Sequence, residues 1–121
     1  MYTKLEVWKD SIALIKEIYS IIEQLPKFEE YNLKSQMRRA VVSVALNIAE
    51  GKCRQSAKDC AHFLNISIAS LNEVEACISI CEELAYIKRN EEIHTRCKTL
   101  SYRINALKNK IYPRKGKINE E

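Results

Sequence analysis

Apolar residues recur at three- and four-residue steps in four separate runs, and this recurrence permits little besides a set of amphipathic helices. The first run is Trp8, Ile12, Ile15, Tyr19, Ile22 and Leu25. Pro26 closes it, because proline lacks an amide hydrogen and restricts the residue before it. The second run, Leu33, Met37, Val41, Val44 and Ile48, begins near Asn32, a residue suited to capping, and reaches Glu50. Ala40 and Ala45 widen its face without bulk, and Gly51 is placed for a left-handed C-terminal cap. Ser56-Ala57-Lys58-Asp59 reads as a capping box opening a third helix to about Tyr86. Its apolar residues lie on two adjacent lines: Leu64, Ile68, Leu71, Ile78 and Cys81, with Phe63, Ile66, Val74 and Cys77 beside them. So wide a face can pack inside a bundle on one side and meet another subunit on the other. Asn90 caps the fourth run, with Glu91 and Glu92 near the positive helix end. That run is Ile93, Cys97, Leu100, Ile104, Leu107 and Ile111, and Pro113 ends it.

Short connections make consecutive helices antiparallel neighbours, so the expected fold is all-α, an up-down-up-down four-helix bundle. Period-two alternation is scarce, and only two Gly and two Pro occur in 121 residues, which leaves little room for strands or long loops. One domain over residues 1–113 is expected, followed by a short flexible tail at 114–121. The opening residues lack the pattern of a secretory leader, and no apolar stretch approaches the roughly 18 residues of a membrane span. Five cysteines, an odd number spread over the helices, argue against a disulfide framework and for a cytoplasmic setting.

Charge is segregated along the chain. Residues 34–58 hold six Lys or Arg against one Glu, residues 59–87 hold five acids and no Lys or Arg, and residues 88–118 hold ten Lys or Arg against two Glu. An acidic third helix between basic second and fourth helices helps order a bundle, although each exposed pair contributes only about 0–1 kcal/mol. In an up-down bundle Lys52, Arg54 and Lys58 gather with Lys108, Lys110, Arg114, Lys115 and Lys117 at one end, where Lys4 and Lys9 join them. Such an end suits phosphate groups, so RNA or DNA is a candidate partner, read through backbone and shape. The few aromatics are not interleaved with these cations as a stacking surface requires.

Residues that carry chemistry are sparse. His62 and His94 belong to no local catalytic arrangement, Glu73 and Glu75 do not face each other at a two-residue helical step, and Glu82 and Glu83 read as ordinary solvated positions. The expectation is no enzyme and no cofactor. Cys77 and Cys81 stand one turn apart, as do His94 and Cys97, and a hairpin near residues 87–90 would bring both pairs to a similar level. Zinc could accept such donors, but buried reduced thiols account for them more simply. Cys53 and Cys60 flank the second connection and are expected to be more exposed. The densest polar feature is Ser35 to Arg39 followed by Ser43, Asn47 and Glu50, the last three on one side of the second helix. They read as a hydrogen-bond network that fixes helix register or a subunit contact, with an Arg near Glu50 to offset its place at a helix C-terminus.

At this segment the chain resembles a known family. Ser35-Gln36-Met37-Arg38-Arg39-Ala40-Val41-Val42-Ser43 and Asn47-Ile48-Ala49-Glu50-Gly51 are similar to the signature of four-helix bundle proteins encoded in intervening sequences of bacterial large-subunit ribosomal RNA genes. Phe63-Leu64-Asn65-Ile66, Ser70-Leu71-Asn72-Glu73-Val74-Glu75 and Leu84-Ala85-Tyr86 resemble its second block, and Leu5-Glu6-Val7-Trp8-Lys9 its opening. The resemblance implies a homo-oligomer, often a pentameric ring, with Arg38 and Arg39 at the family's paired Arg positions. It also relates the chain to accessory proteins of diversity-generating retroelements, which bind a reverse transcriptase together with nucleic acid. Two departures carry expectations of their own. Val44-Ala45-Leu46 replaces a common Ile-Pro, which would straighten the second helix, and Ala69 replaces a common Gly, which would loosen the closest helix contact.

Overall fold

The computed structural model describes residues 1–113. Four helices, α1 (Glu6–Ile22), α2 (Leu33–Lys52), α3 (Ala57–Glu83) and α4 (Glu91–Ile111), pack in chain order as an antiparallel up-down bundle. Short 3₁₀ turns at Tyr2–Lys4 and Lys27–Glu29 precede α1 and α2. Contact is densest between α2 and α3 and sparsest between α1 and α4. Arg96–Glu17 and Arg103–Asp10 pair across that last seam, beside a cleft of about 260 Å³.

The core is built from the lines expected for α2 and α4. Met37, Val41, Val44, Ile48, Ile93, Cys97 and Ile104 are almost fully buried, with Leu33 and Leu100 beside them. Of the line expected for α1, Ile22 and Leu25 are buried, but before them the buried line is displaced by one residue: Val7, Ser11, Leu14, Ile18 and Ile21 face inward, while Trp8, Ile12 and Ile15 flank them and Tyr19 is exposed. A serine interrupts the true line, so counting apolar residues favoured its neighbour. Ser11 is tolerated there because its hydroxyl donates to the Trp8 carbonyl at 2.6 Å.

Helix ends follow the expected residues with altered chemistry. Ser56 Oγ accepts from the Asp59 amide at 3.0 Å, and Asn90 Oδ1 accepts from the Ile93 amide at 3.1 Å. Asn32 precedes α2 without capping it. Buried Glu29 does so instead, its Oε1 accepting from the Leu33 amide at 3.4 Å while its Oε2 accepts from the Tyr86 hydroxyl at 2.8 Å. Gly51 is not a left-handed cap, since α2 runs on to Lys52 and no glycine has positive φ among the described residues. Its role is close approach: a Cβ there would stand 3.2 Å from the Cys60 carbonyl oxygen and 3.3 Å from the Phe63 Cβ. Ala69 is exposed on α3, away from the tight helix contact, so it loosens nothing inside the bundle.

The helix expected to run to Tyr86 stops at Glu83. The Tyr86 amide returns to the Cys81 carbonyl at 2.9 Å and the Ala85 amide to the Glu82 carbonyl at 3.0 Å, a Schellman turn. This turn requires a left-handed residue, and Ala85 supplies it at φ 60°. An alanine there is disfavoured relative to glycine by about 1 kcal/mol. Ala85→Gly is therefore expected to stabilise the bundle by about 1 kcal/mol and raise its Tm by about 4 °C in a thermal melt.

Candidate functional site

Antiparallel packing brings the start of α1, the end of α2, the start of α3 and the end of α4 to one end of the molecule. Leu5, Ile48, Lys52, Cys60, Leu64, Leu107 and Ile111 meet there around a small cavity of about 20 Å³. Lys52, Arg54 and Lys58 rise from the α2–α3 connection, and Lys108 and Lys110 lie in the last turn of α4, where the helix dipole favours cations. Arg54 is held in place: it pairs with Glu50 one turn earlier, and its guanidinium lies 4.6 Å from the centre of the Phe63 ring. This cation–aromatic contact joins residues nine positions apart, and the sequence reading missed it. Lys108 Nζ donates to Asn65 Oδ1 at 3.1 Å, tying α4 to α3. Lys4, Lys52, Lys58 and Lys110 are exposed and enter no ion pair among the described residues. Arg114, Lys115 and Lys117, assigned to the same end from the sequence, lie outside the described residues.

Arg38 and Arg39 do not join this end. They stand near the start of α2, about 20 Å from Lys52 along the helix. Arg38 Nη2 donates to Glu30 Oε2 at 3.0 Å, and Lys34 shares that carboxylate at 3.7 Å. Arg39 is exposed. Phe28 and Tyr31, 77% and 95% exposed, project at this opposite end, so the most accessible aromatics stand apart from the basic group.

The polar residues of α2 divide in two. Asn47 Nδ2 donates to the Ser43 carbonyl and hydroxyl oxygens, both at 2.9 Å, and Ser43 Oγ lies 2.9 Å from Ser70 Oγ on α3. Ser67 Oγ adds a bond to the Val44 carbonyl at 2.8 Å. These bonds set the α2–α3 register. Glu50 takes no part and faces Arg54 instead.

The thiols and His94 occupy a level of the α3–α4 hairpin that the sequence anticipated, with different partners. His94 is buried, its Nδ1 3.0 Å from Glu75 Oε2 and its Nε2 3.0 and 3.1 Å from the two oxygens of Glu82. Glu82 is no ordinary solvated carboxylate: its side chain is 7% exposed and also accepts from the Asn90 amide at 2.8 Å. The Glu82 hydrogen bond raises the His94 pKa above the ordinary 6.5; burial opposes this, and Glu75 reinforces it. Burial alone would raise the Glu82 carboxyl, but the Asn90 amide, His94 and Arg89 outweigh it and hold it below the ordinary 4.5. The arrangement is an imidazole clamped between two carboxylates with both ring nitrogens engaged, which favours its protonated form. Because the three side chains are engaged with one another, they do not form a group that could hold a metal ion, and no other such group occurs among the described residues. Cys53 is exposed, while Cys60, Cys77, Cys81 and Cys97 are buried free thiols, so Cys60 departs from expectation because α2 covers it at Gly51. Burial pushes the Cys81 thiol up to about 11 and the Cys97 thiol up to about 12, which leaves neither a ready nucleophile. A concavity of about 780 Å³ lies beside the α3–α4 connection, where Gln24, Glu82, Tyr86, Lys88 and Arg89 line it.

A model of the 23S rRNA-intervening sequence protein family matches residues 3–106. A solved structure titled as a protein with unknown function from the S23 ribosomal protein family of Bacteroides thetaiotaomicron VPI-5482 is 27% identical. The match covers 89% of this chain and 99% of that chain, with a TM-score of 0.70. A search of curated proteins returns no match.

The clamp has a defined pH window. The His94 contribution is complete below about pH 6.5 and is lost as pH rises through its elevated folded pKa. The Glu82 contribution is complete above about pH 4.5 and is lost as pH falls through its lowered folded value. Urea titrations across pH should show both contributions at full strength between these limits and a decline on the alkaline side. His94→Gln should destabilise by about 2 kcal/mol inside the window and remove most of that alkaline decline.

Proposed function

The chain belongs to the 23S rRNA-intervening sequence protein family, and from that premise we propose that it is a non-enzymatic, self-associating protein that holds nucleic acid by its phosphate backbone at the basic end. The observation that supports this most is the set of exposed cations, Lys4, Lys52, Lys58 and Lys110, that no carboxylate in the described chain neutralises. Cations held in internal pairs contribute little to long-range attraction, whereas unpaired ones at one end create a field that draws in polyanions. Repeating that end around an assembly multiplies the field. Because no base-reading element accompanies the cations among the described residues, binding depends on charge and backbone geometry more than on sequence. The family name makes ribosomal RNA the first polyanion to test.

A pure protein scaffold is the second reading, and a specific observation favours it. Arg38, Arg54, Arg89, Arg96 and Arg103 all engage carboxylates of their own chain, so most arginines serve the bundle itself.

Lys52, Lys58 and Lys110 are suited to test between these readings, because each is exposed and enters no ion pair or side-chain hydrogen bond among the described residues. The combined change Lys52→Glu, Lys58→Glu and Lys110→Glu should leave the fold and assembly intact. It should weaken binding to labelled ribosomal RNA fragments and to unrelated RNA alike. The slope of log affinity against log salt should become shallower by roughly 0.7–0.9 per phosphate contact removed. Affinity and salt slope both unchanged in fluorescence anisotropy would favour the scaffold.

A further inference from the structure

Helix α3 contains an 18-residue window of mean hydropathy 1.2, only 39% of it buried in the bundle. Contrary to the expectation from the sequence, this window reaches the minimum length and apolarity of a membrane span, by length and composition alone. Its inner side is core: Leu64, Leu71, Val74, Ile78 and Cys81. Its outer side is a second line, Ile66, Ala69, Glu73, Ala76 and Ile80, at three- and four-residue steps and exposed throughout. Beside it on α2 stand Arg39, half-buried Val42 and Leu46, the last 63% exposed.

The Ser43–Ser70 contact fixes where these residues lie relative to one another. Arg39 precedes Ser43 by four residues and Glu73 follows Ser70 by three, so in antiparallel helices both sit one turn to the same side of that contact. Leu46 follows Ser43 by three and Ile66 precedes Ser70 by four, which puts both one turn to the other side. Neither Arg39 nor Glu73 enters an ion pair or side-chain hydrogen bond among the described residues. The face thus carries, at matching heights on two helices, one unpaired cation with one unpaired anion and one exposed leucine with one exposed isoleucine.

We infer that this α2–α3 face seats a second copy of the chain, α2 of one against α3 of the other, related by rotation about an axis parallel to the helices. Such a rotation keeps every residue at its own height. Arg39 therefore meets the partner's Glu73, and Leu46 meets the partner's Ile66, whether the ring closes at two copies or more. Small side chains at Ala69 and Ala76 let the helices approach. The self-complementarity selects this occupant: a polyanion would be repelled by Glu73, and a bilayer would have to accept both charges. The inference rests on the self-association proposed above and specifies its surface.

Native mass spectrometry and sedimentation velocity test it on the full chain, with circular dichroism to verify helix content. Arg39→Glu and Glu73→Arg alone should each weaken assembly by roughly tenfold or more, and the two together should restore it. Leu46→Glu, independent of the charge pair, should also disperse the assembly. A wild-type chain that stays monomeric at every concentration would overturn self-association and this face together. An assembling wild type whose single variants all assemble equally well would overturn the face alone. So would a double charge exchange that fails to restore what the single changes lose.

Discussion

Everything else in this molecule is referred to the contact between α2 and α3. Gly51 lets the two backbones approach at one end, and hydroxyls rather than hydrocarbon fix their register in the middle: Ser43 against Ser70, and Ser67 against the Val44 carbonyl. Apolar surfaces attract without specifying height, since a slide of one turn along a wide hydrophobic face changes little in buried area. A buried hydroxyl without its partner costs about 1–3 kcal/mol, which makes a slipped register unfavourable. The height at which Lys52, Arg54 and Lys58 meet the end of α4 follows from that register, as does the alignment of Arg39 with Glu73.

The two ends of the bundle are built differently. At one, Lys4, Lys52, Lys58 and Lys110 are exposed and enter no ion pair among the described residues. At the other, buried carboxylates organise the chain: Glu29 caps α2 and takes the Tyr86 hydroxyl, while Glu82 takes the Asn90 amide and His94. These carboxylates tie the α1–α2 and α3–α4 connections to each other and to the helices they join. Ala85 is held left-handed in this setting, where two turn hydrogen bonds and the Tyr86 tether outweigh a local preference of about 1 kcal/mol.

How far the site could be read from the chain varied with the kind of information each residue carries. The basic end was legible because topology alone puts the α2–α3 connection beside the last turn of α4. The hairpin level shared by Cys77, Cys81, His94 and Cys97 was legible for the same reason, but the partners of His94 were not. At that level α3 offers both thiols and carboxylates, and rotation about the helix axis decides which faces the imidazole. Glu82 looked solvated because nothing local marks it as buried. The first part of the α1 line, up to Tyr19, was misplaced by one position because a serine occupies the interior, and Gly51 was assigned to a cap because its neighbour across the helix pair is about ten residues away.

The sequence by itself determined four amphipathic helices, the residues that start and stop most of them, their antiparallel order, and the segregation of charge along the chain. Each of these follows from contacts within a few residues or from short connections, where spacing and backbone chemistry suffice. Only the tertiary structure decided which cations remain unpaired, which carboxylates are buried around His94, and which apolar residues of α3 the bundle leaves uncovered. Those depend on the rotation and register of packed helices, which many weak contacts and a few buried polar bonds set together, and no single run of residues encodes them.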